Sequence, residues 1–300
     1  MKNHVLLILI IWMLRLAYCF NKSIAFGRSI GSRILKRLDR YSTSLRLTSA
    51  NAGIHFVDRL KCAEIKICVN DEIITILEAV EETQEALINI ALEAQSDNDS
   101  RSDPYGSVLW PAARVVSLKL SQIEGLSHKT VLELGSGTGL VGLFAAKLAK
   151  RVIASDFSEF CIQMIKKAVA LNDIHEDKIK VIHFDVKDFT IALPKADVVV
   201  LADVLYDKHL GIAVAHRVYE ALMRGNCVIV GDSPTRQGRE PFLNELRKLV
   251  REKTPRIGLN ESAIQFEWVM SETLTTFRNT IISESNTKIP EPVKIGILCL

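Results

Sequence analysis

VLELGSGTGL, running from Val131 to Leu140, decides how the rest of this 300-residue chain is read. Four apolar or acidic residues form a short strand, and Gly135, Gly137 and Gly139 follow before an apolar helix begins. Glycine lets the backbone turn sharply and lets a ligand approach without a Cβ clash, while a helix start offers unpaired N–H groups. The stretch therefore implies a nucleotide-like cofactor. Two registers compete. Glu133 with Gly135, Gly137 and Gly139 forms E-x-G-x-G-x-G, whereas Gly137, Gly139 and Gly142 form the G-x-G-x-x-G of a dinucleotide site. Asp156, closing the next strand (VIASD), suits either, because a carboxylate there can accept both ribose hydroxyls. Its alternative task is to cap the following helix with Ser158.

Outward from that stretch, strands are expected over Thr130–Leu134, Arg151–Ser155, Lys178–Phe184, Ala196–Ala202 and Asn226–Gly231. Helices are expected over Gly142–Lys150, Phe157–Asn172, His209–Met223 and Leu243–Lys253, with late strands over Ala263–Val269 and Val293–Leu300. Strands that are apolar throughout and alternate with helices require an α/β fold with a parallel sheet covered on both faces. Upstream, Ile54–Val69 alternates and suggests a strand or two, Asp71–Ala94 reads as mostly helix, and Gln95–Ser102 is a polar linker. The domains expected are a leader over 1–50, an extension over 51–102 and the cofactor-binding domain over 103–300.

With 48% hydrophobic and 24% charged residues the chain carries enough apolar material for a large core, which excludes global disorder. Its net charge of +3 is unevenly placed. Met1 to Val57 holds nine Lys/Arg against the single acid Asp39, leaving 29 Lys/Arg and 34 Asp/Glu downstream. An acidic body speaks against docking on a phosphate backbone and suits a cationic protein partner. The six cysteines contain no C-x-x-C, so neither a zinc site nor a disulfide framework is expected, and Cys62, Cys68, Cys161 and Cys227 read as buried thiols.

Val5 to Leu14 is a ten-residue apolar run, too short to span a bilayer, and Asn21 to Ser49 is Arg- and Ser-rich and nearly free of acids. Hydrophobic first and basic second resembles the two-part leader of proteins sent through the secretory pathway into complex plastids. A mitochondrial presequence or a signal anchor is the alternative. The body is not expected to cross a membrane.

Three segments together, DPYGSVLWPAARVV (Asp103–Val116), VLELGSGTGLVG and LADVLYD (Leu201–Asp207), resemble the seven-strand methyltransferases that modify lysine in non-histone proteins. Within them the likeness is greatest to those acting on the electron transfer flavoprotein β-subunit, which share Gly-Asp followed by Pro and Arg after strand five, here Gly231, Asp232, Pro234 and Arg236. The resemblance covers about Asp103 to Arg239. It implies a Rossmann-like, mostly parallel seven-strand sheet with one antiparallel late strand. It also implies S-adenosylmethionine held by Glu133, Gly135, Gly137, Gly139, Asp156, Asp185 and Ala202 with Trp110 over it, and Asp203 and Tyr206 as the catalytic pair of D-x-x-Y. Asp188 competes with Asp185 for the adenine. No Asn/Asp-Pro-Pro-Tyr/Phe follows strand four and no Pro-Cys nucleophile occurs, which removes support for nucleic-acid methylation. The rival readings are a nicotinamide-dependent oxidoreductase in the shifted register and an idle methyltransferase fold that binds a partner. The acceptor is expected to be a protein lysine and no metal is expected.

Overall fold

The computed structural model describes residues 53–96, 104–253, 261–271 and 293–300. The leader expected over Met1–Ala50 lies outside these residues, as does most of the polar linker.

The described chain opens with β1 (Ile54–Val57), β2 (Leu60–Val69) and β3 (Glu72–Ala79), which form an antiparallel three-stranded sheet. Asp58–Arg59 and Asn70–Asp71 make its two-residue turns, all four with positive φ, the mirror-image turn geometry that matches strand twist. The helix expected from Asp71 is thus a strand over its first half, paired to β2 from Val69↔Glu72 to Cys62↔Ala79, and α1 is Glu81–Ser96. Six consecutive residues of β3, Ile74 to Ala79, are buried. A strand covered on both faces has no period-two pattern, and its apolar spacing passes for a helix. The β-branched run Ile73-Ile74-Thr75-Ile76 and the Asn-Asp turn were the contrary signals.

After α2 (Ala112–Leu120) the chain alternates through β4 (Thr130–Leu134), α3 (Leu140–Leu148), β5 (Arg151–Asp156), α4 (Glu159–Leu171) and β6 (Ile179–His183). It continues through β7 (Val198–Ala202), α5 (Lys208–Met223), β8 (Cys227–Asp232), α6 (Arg239–Lys253), β9 (Glu267–Ser271) and β10 (Val293–Cys299). Seven strands pair in the order β6-β5-β4-β7-β8-β10-β9, and β10 alone runs antiparallel to its neighbours. The expected α/β sheet is present. Chain order reverses between β4 and β7, and such a switch point opens a crevice beyond the carboxyl ends of the strands.

Strand alternation sorts the core into two layers. Val131, Val198 and Val200 face the layer built with Val116, Leu143, Phe144 and Ile165 of α2, α3 and α4, and Ile67, Val69, Ile74 and Ile76 of the hairpin join that cluster. Leu132, Leu134, Val199 and Leu201 face Val214, Val218, Phe242 and Leu246 of α5 and α6. Cys62 and Cys161 are buried as expected, whereas Cys68 and Cys227 are only half-buried because each sits near a strand end.

One side chain ties β3 to α4 through its backbone. Asn172, buried after α4, accepts from Thr75 N at 2.8 Å and donates to Thr75 O and Ala168 O, both at 2.7 Å, so its amide completes the hydrogen bonding of β3 like a further strand. Asn172→Ala strands a buried donor and two acceptors, and we expect it to lower unfolding free energy by ~3 kcal/mol in denaturant titration, against less than ~0.5 kcal/mol for the exposed Glu176→Ala.

Candidate functional site

Three strand ends meet at the switch point. At the first, Gly135, Gly137 and Gly139 have φ of 71°, 52° and 81°, a left-handed run closed to residues with a Cβ except at a cost. Crowding adds to this at Gly137, where a Cβ would stand 3.0 Å from the carbonyl oxygen of Gly106 in the Pro104–Ser107 turn. That turn belongs to the DPYG segment and covers the glycine loop. Gly139 is buried, and a Cβ there would lie 2.8 Å from Ile165 Cγ1, so it shapes the turn into α3 while Gly135 and Gly137 remain half-exposed. Gly135 N and Ser136 N both donate to Ser155 O, and Ser155 N donates to Ser136 Oγ, tying the loop to β5.

Gly142 lies inside α3, where a Cβ would come 2.7 Å from Glu133 Oε2 and 3.2 Å from Ala154 Cβ, so it gives room to a carboxylate from β4. Close helix–strand packing at this glycine suits either register. Glu133 is fully buried on the α3 side of the sheet, its Oε2 has no hydrogen-bond partner, and desolvation pushes its carboxyl up to about 8, with the nearby Asp156 adding to the rise.

At the second strand end, Asp156 Oδ2 accepts from Gly137 N at 2.8 Å and Oδ1 accepts from Ser158 N at 2.9 Å. The carboxylate thus supports the glycine loop and starts α4 at once. Phe184 N donates to Asp156 O, which places Asp185 next along the same edge, half-buried, with its own Oδ1 closing a turn to Lys187 N. Asp188 is turned to another task, accepting from Thr190 while its carbonyl receives Arg217 Nη2.

At the third strand end, Ala202 is half-buried and pairs with Gly231, and Asp203 follows with φ of 58°. Its carboxylate is almost wholly buried. Oδ2 accepts from Ala112 N at 2.8 Å, and Oδ1 accepts from Ser233 N at 2.9 Å and from Arg236 Nη2 at 3.1 Å. The guanidinium of Arg236 lies 4.3 Å from the centre of the Trp110 ring, whose Nε1 donates to Tyr105 O. Tyr105 and Tyr206 face each other at 6.5 Å. A Cβ on Gly135 would touch Val204 Cγ1 at 2.7 Å, so the glycine loop and the D-x-x-Y loop adjoin. Beside them Asp232 is buried and bound to Arg239 Nη2 at 2.6 Å; its second oxygen has no partner, and burial raises its carboxyl to about 7.

The structure brings together Trp110, Asp203, Tyr206 and the glycine loop, and sets Asp156 and Asp185 along the adjoining edge. Sequence reasoning assigned no task to Tyr105, Ser155 or Arg236. The Pro-x-Arg spelling after Gly231-Asp232 was the available signal for the last. Among the described residues no group of three metal-ligating side chains occurs. The half-exposed Gly135 and Gly137 backbone, the carboxylates of Asp156 and Asp185 and the Trp110 indole suit a cofactor with a ribose, an adenine and a cationic sulfur.

Fold and crevice define a methyltransferase of the seven-strand class. The chain belongs to the lysine methyltransferase family, whose profile matches residues 89–249, and S-adenosylmethionine is its cofactor. Mouse histone-arginine methyltransferase METTL23 is 31% identical over 107 residues, 34% of this chain and 42% of that protein. Mouse protein-lysine methyltransferase METTL21E is 31% identical over 113 residues, 35% of this chain and 46% of that protein. The matched stretch thus spans under half the length of these curated relatives. A solved ribosomal protein L11 methylase from Lactobacillus delbrueckii subsp. bulgaricus is 16% identical with a TM-score of 0.40, covering 63% of this chain and 77% of its own.

The acid beneath the loop has a measurable consequence. Because Glu133 titrates near 8 when folded and near 4.5 in its ordinary state, the folded protein holds an extra proton between those values, and stability falls as pH rises through the window. Glu78 and Asp232, both raised to about 7, act in the same direction but are ionised by pH 7 to 8. Glu133→Gln should flatten the loss of thermal stability between pH 7 and 8.5. An unchanged slope would place Glu133's titration elsewhere.

Proposed function

We propose that the chain transfers a methyl group from S-adenosylmethionine to the side-chain nitrogen of a lysine on a protein. The observation that carries this reading is the position of Asp203, a carboxylate at the switch point joined through Arg236 to the Trp110 ring and adjoining the glycine loop through Val204, with Tyr206 three residues further along. Bound S-adenosylmethionine supplies a methyl on a positively charged sulfur. The chain's own task is to align a neutral amine with that methyl and keep water away. The amine's lone pair forms the new N–C bond as the S–C bond breaks, and S-adenosylhomocysteine leaves. Before that, the arriving ammonium loses its proton. Asp203 can hold the ammonium, desolvation by the surrounding rings favours the neutral form, and the face of Tyr206 walls the nitrogen.

The relatives are named for lysine and for arginine acceptors, and the family profile is named for lysine. An ammonium needs one carboxylate and aromatic walls, which Asp203, Trp110 and Tyr206 provide. The acidic body favours a cationic protein surface over nucleic acid. The basic, acid-poor leader points to an organelle. Among the described residues no helix is long and apolar enough to cross a membrane.

Radiolabelled S-adenosylmethionine, purified chain and an organellar protein extract, followed by mass spectrometry of the labelled residue, test the reading; methyl-lysine is expected, and methylarginine alone would overturn it. Asp203→Asn, which keeps the side-chain volume, should lose ~100-fold in transfer while cofactor affinity changes little, and Tyr206→Phe should fall between it and wild type. Asp156→Asn should instead weaken S-adenosylmethionine by ~1.5–3 kcal/mol in calorimetry. A reporter carrying residues 1–50 should enter an organelle, and fluorescence confined to the cytosol would remove the location.

A further inference from the structure

Two of the three donors on the Asp203 carboxylate are backbone N–H groups, of Ala112 at the start of α2 and of Ser233 after β8. The third is a side chain. Arg236 reaches Asp203 Oδ1 from the loop between β8 and α6, and the same guanidinium stacks over Trp110. Its Nε is buried without a partner, so the guanidinium is held by one contact to the carboxylate and one to the ring face, and not by a two-pronged pair. The loop that carries it contains Thr235 at φ of 64°, a backbone region that β-branched residues avoid. Its far end is pinned by Gly238 N on Leu205 O.

A cation between the Asp203 carboxylate and the Trp110 ring is the arrangement the acceptor's ammonium needs under the proposed reaction, and two cations cannot share it. We propose that Arg236 fills the acceptor's cation site in the resting protein and is displaced by the arriving lysine, so that it selects which lysines are methylated. This inference rests on the lysine-methyltransferase reading. Displacement carries a further requirement. A guanidinium drawn from this carboxylate goes to water or to another anion, and an incoming chain that carries the anion favours the displaced state. Acceptors with Asp or Glu beside the target lysine supply it, and acceptors with neutral flanks do not. The preferred substrate is a lysine with an acidic residue immediately beside it, on a protein whose wider surface can still be the cationic one that the acidic body favours.

The site acts as a two-state element. If Arg236 fills it in about nine molecules of ten, apparent acceptor affinity is reduced ~10-fold for chains that cannot draw the arginine away. The test compares the full chain with Arg236→Ala and Arg236→Gln, checking each for S-adenosylmethionine binding and thermal midpoint. The acceptors are two synthetic peptides with one central lysine, flanked by glutamates or by glutamines, and the organellar extract with mapped labels. Wild type should favour the glutamate-flanked peptide ~10-fold in KM. Both variants should lose that preference by gaining on the glutamine-flanked peptide, and their labelled sites in the extract should broaden to neutral surroundings. Labelling that appears only in the variants also supports the gate. A raised KM, or a lowered kcat with flank preference unchanged, makes Arg236 a brace for Asp203 and overturns the inference. Failure to bind S-adenosylmethionine, or binding without labelling by any of the three proteins, removes the methyltransferase reading itself and the inference with it.

Discussion

The carboxylate of Asp203 accepts from the first residue of α2, from the residue after β8 and from Arg236, and the cleft takes its shape from those three bonds. Two of the donors share the loop after β8, and the third comes from the start of α2. Ala112 is 91 residues before Asp203, and Ser233 is 30 after it. The backbone at Asp203 stands in the left-handed region at φ of 58°, a conformation that costs ~1–3 kcal/mol and survives only where the surroundings hold it. Charge-assisted bonds of ~1.5–3 kcal/mol each offset that cost. The consequence is positional: Trp110 and Pro111 enter α2 beside the strand end, and Arg236 reaches back over the indole.

Buried acids recur around this frame, each in a distinct task. Glu133 sits beneath the glycine loop where α3 lacks a side chain, and Gly142 is the residue that makes this place. Glu78, at the end of β3, accepts from Leu109 N at 2.6 Å and so links the hairpin to the residue before Trp110. Asp232 holds Arg239, whose guanidinium lies over Trp268 at 4.8 Å. Two guanidiniums, each against a carboxylate and an indole, stand three residues apart after β8, Arg236 in the loop and Arg239 at the start of α6. Removal of one acid from such a pair leaves a buried cation, which is costlier than the pair itself is stabilising.

The parallel sheet and its strand ends were legible because fully apolar strands and a glycine turn leave few alternatives. Every strand from β4 to β8 falls within two residues or so of where the sequence places it. The strand β3 was not legible, since burial on both faces from Ile74 to Ala79 erases the alternation that marks a strand. At the site, residue types announced themselves, yet their partners did not. Asp156 reads as a ribose ligand in sequence, and the fold adds that it holds Gly137 N and begins α4. The fold shows Gly142 packed against the buried Glu133, a close helix–strand contact that either glycine register uses, so the family match and not this glycine separates them. Arg236 is visible in sequence as the arginine of a Gly-Asp-x-Pro-x-Arg spelling, with no task attached. Its meaning comes from Asp203 and Trp110, which the chain supplies from more than thirty and more than a hundred positions away.

Asn172 carries one more implication. The strand it completes, β3, is made early in the chain, and the amide that satisfies Thr75 is 97 residues further on. During synthesis the hairpin therefore leaves the ribosome with one edge open and an apolar face uncovered, and it stays so until α4 has been made. At ~5–20 residues per second that interval lasts several seconds, far longer than a hairpin needs to form. Over that time the exposed edge is a surface for chaperones or for unwanted pairing with another nascent chain, a hazard set by the order of the segments along the chain and invisible in the finished fold.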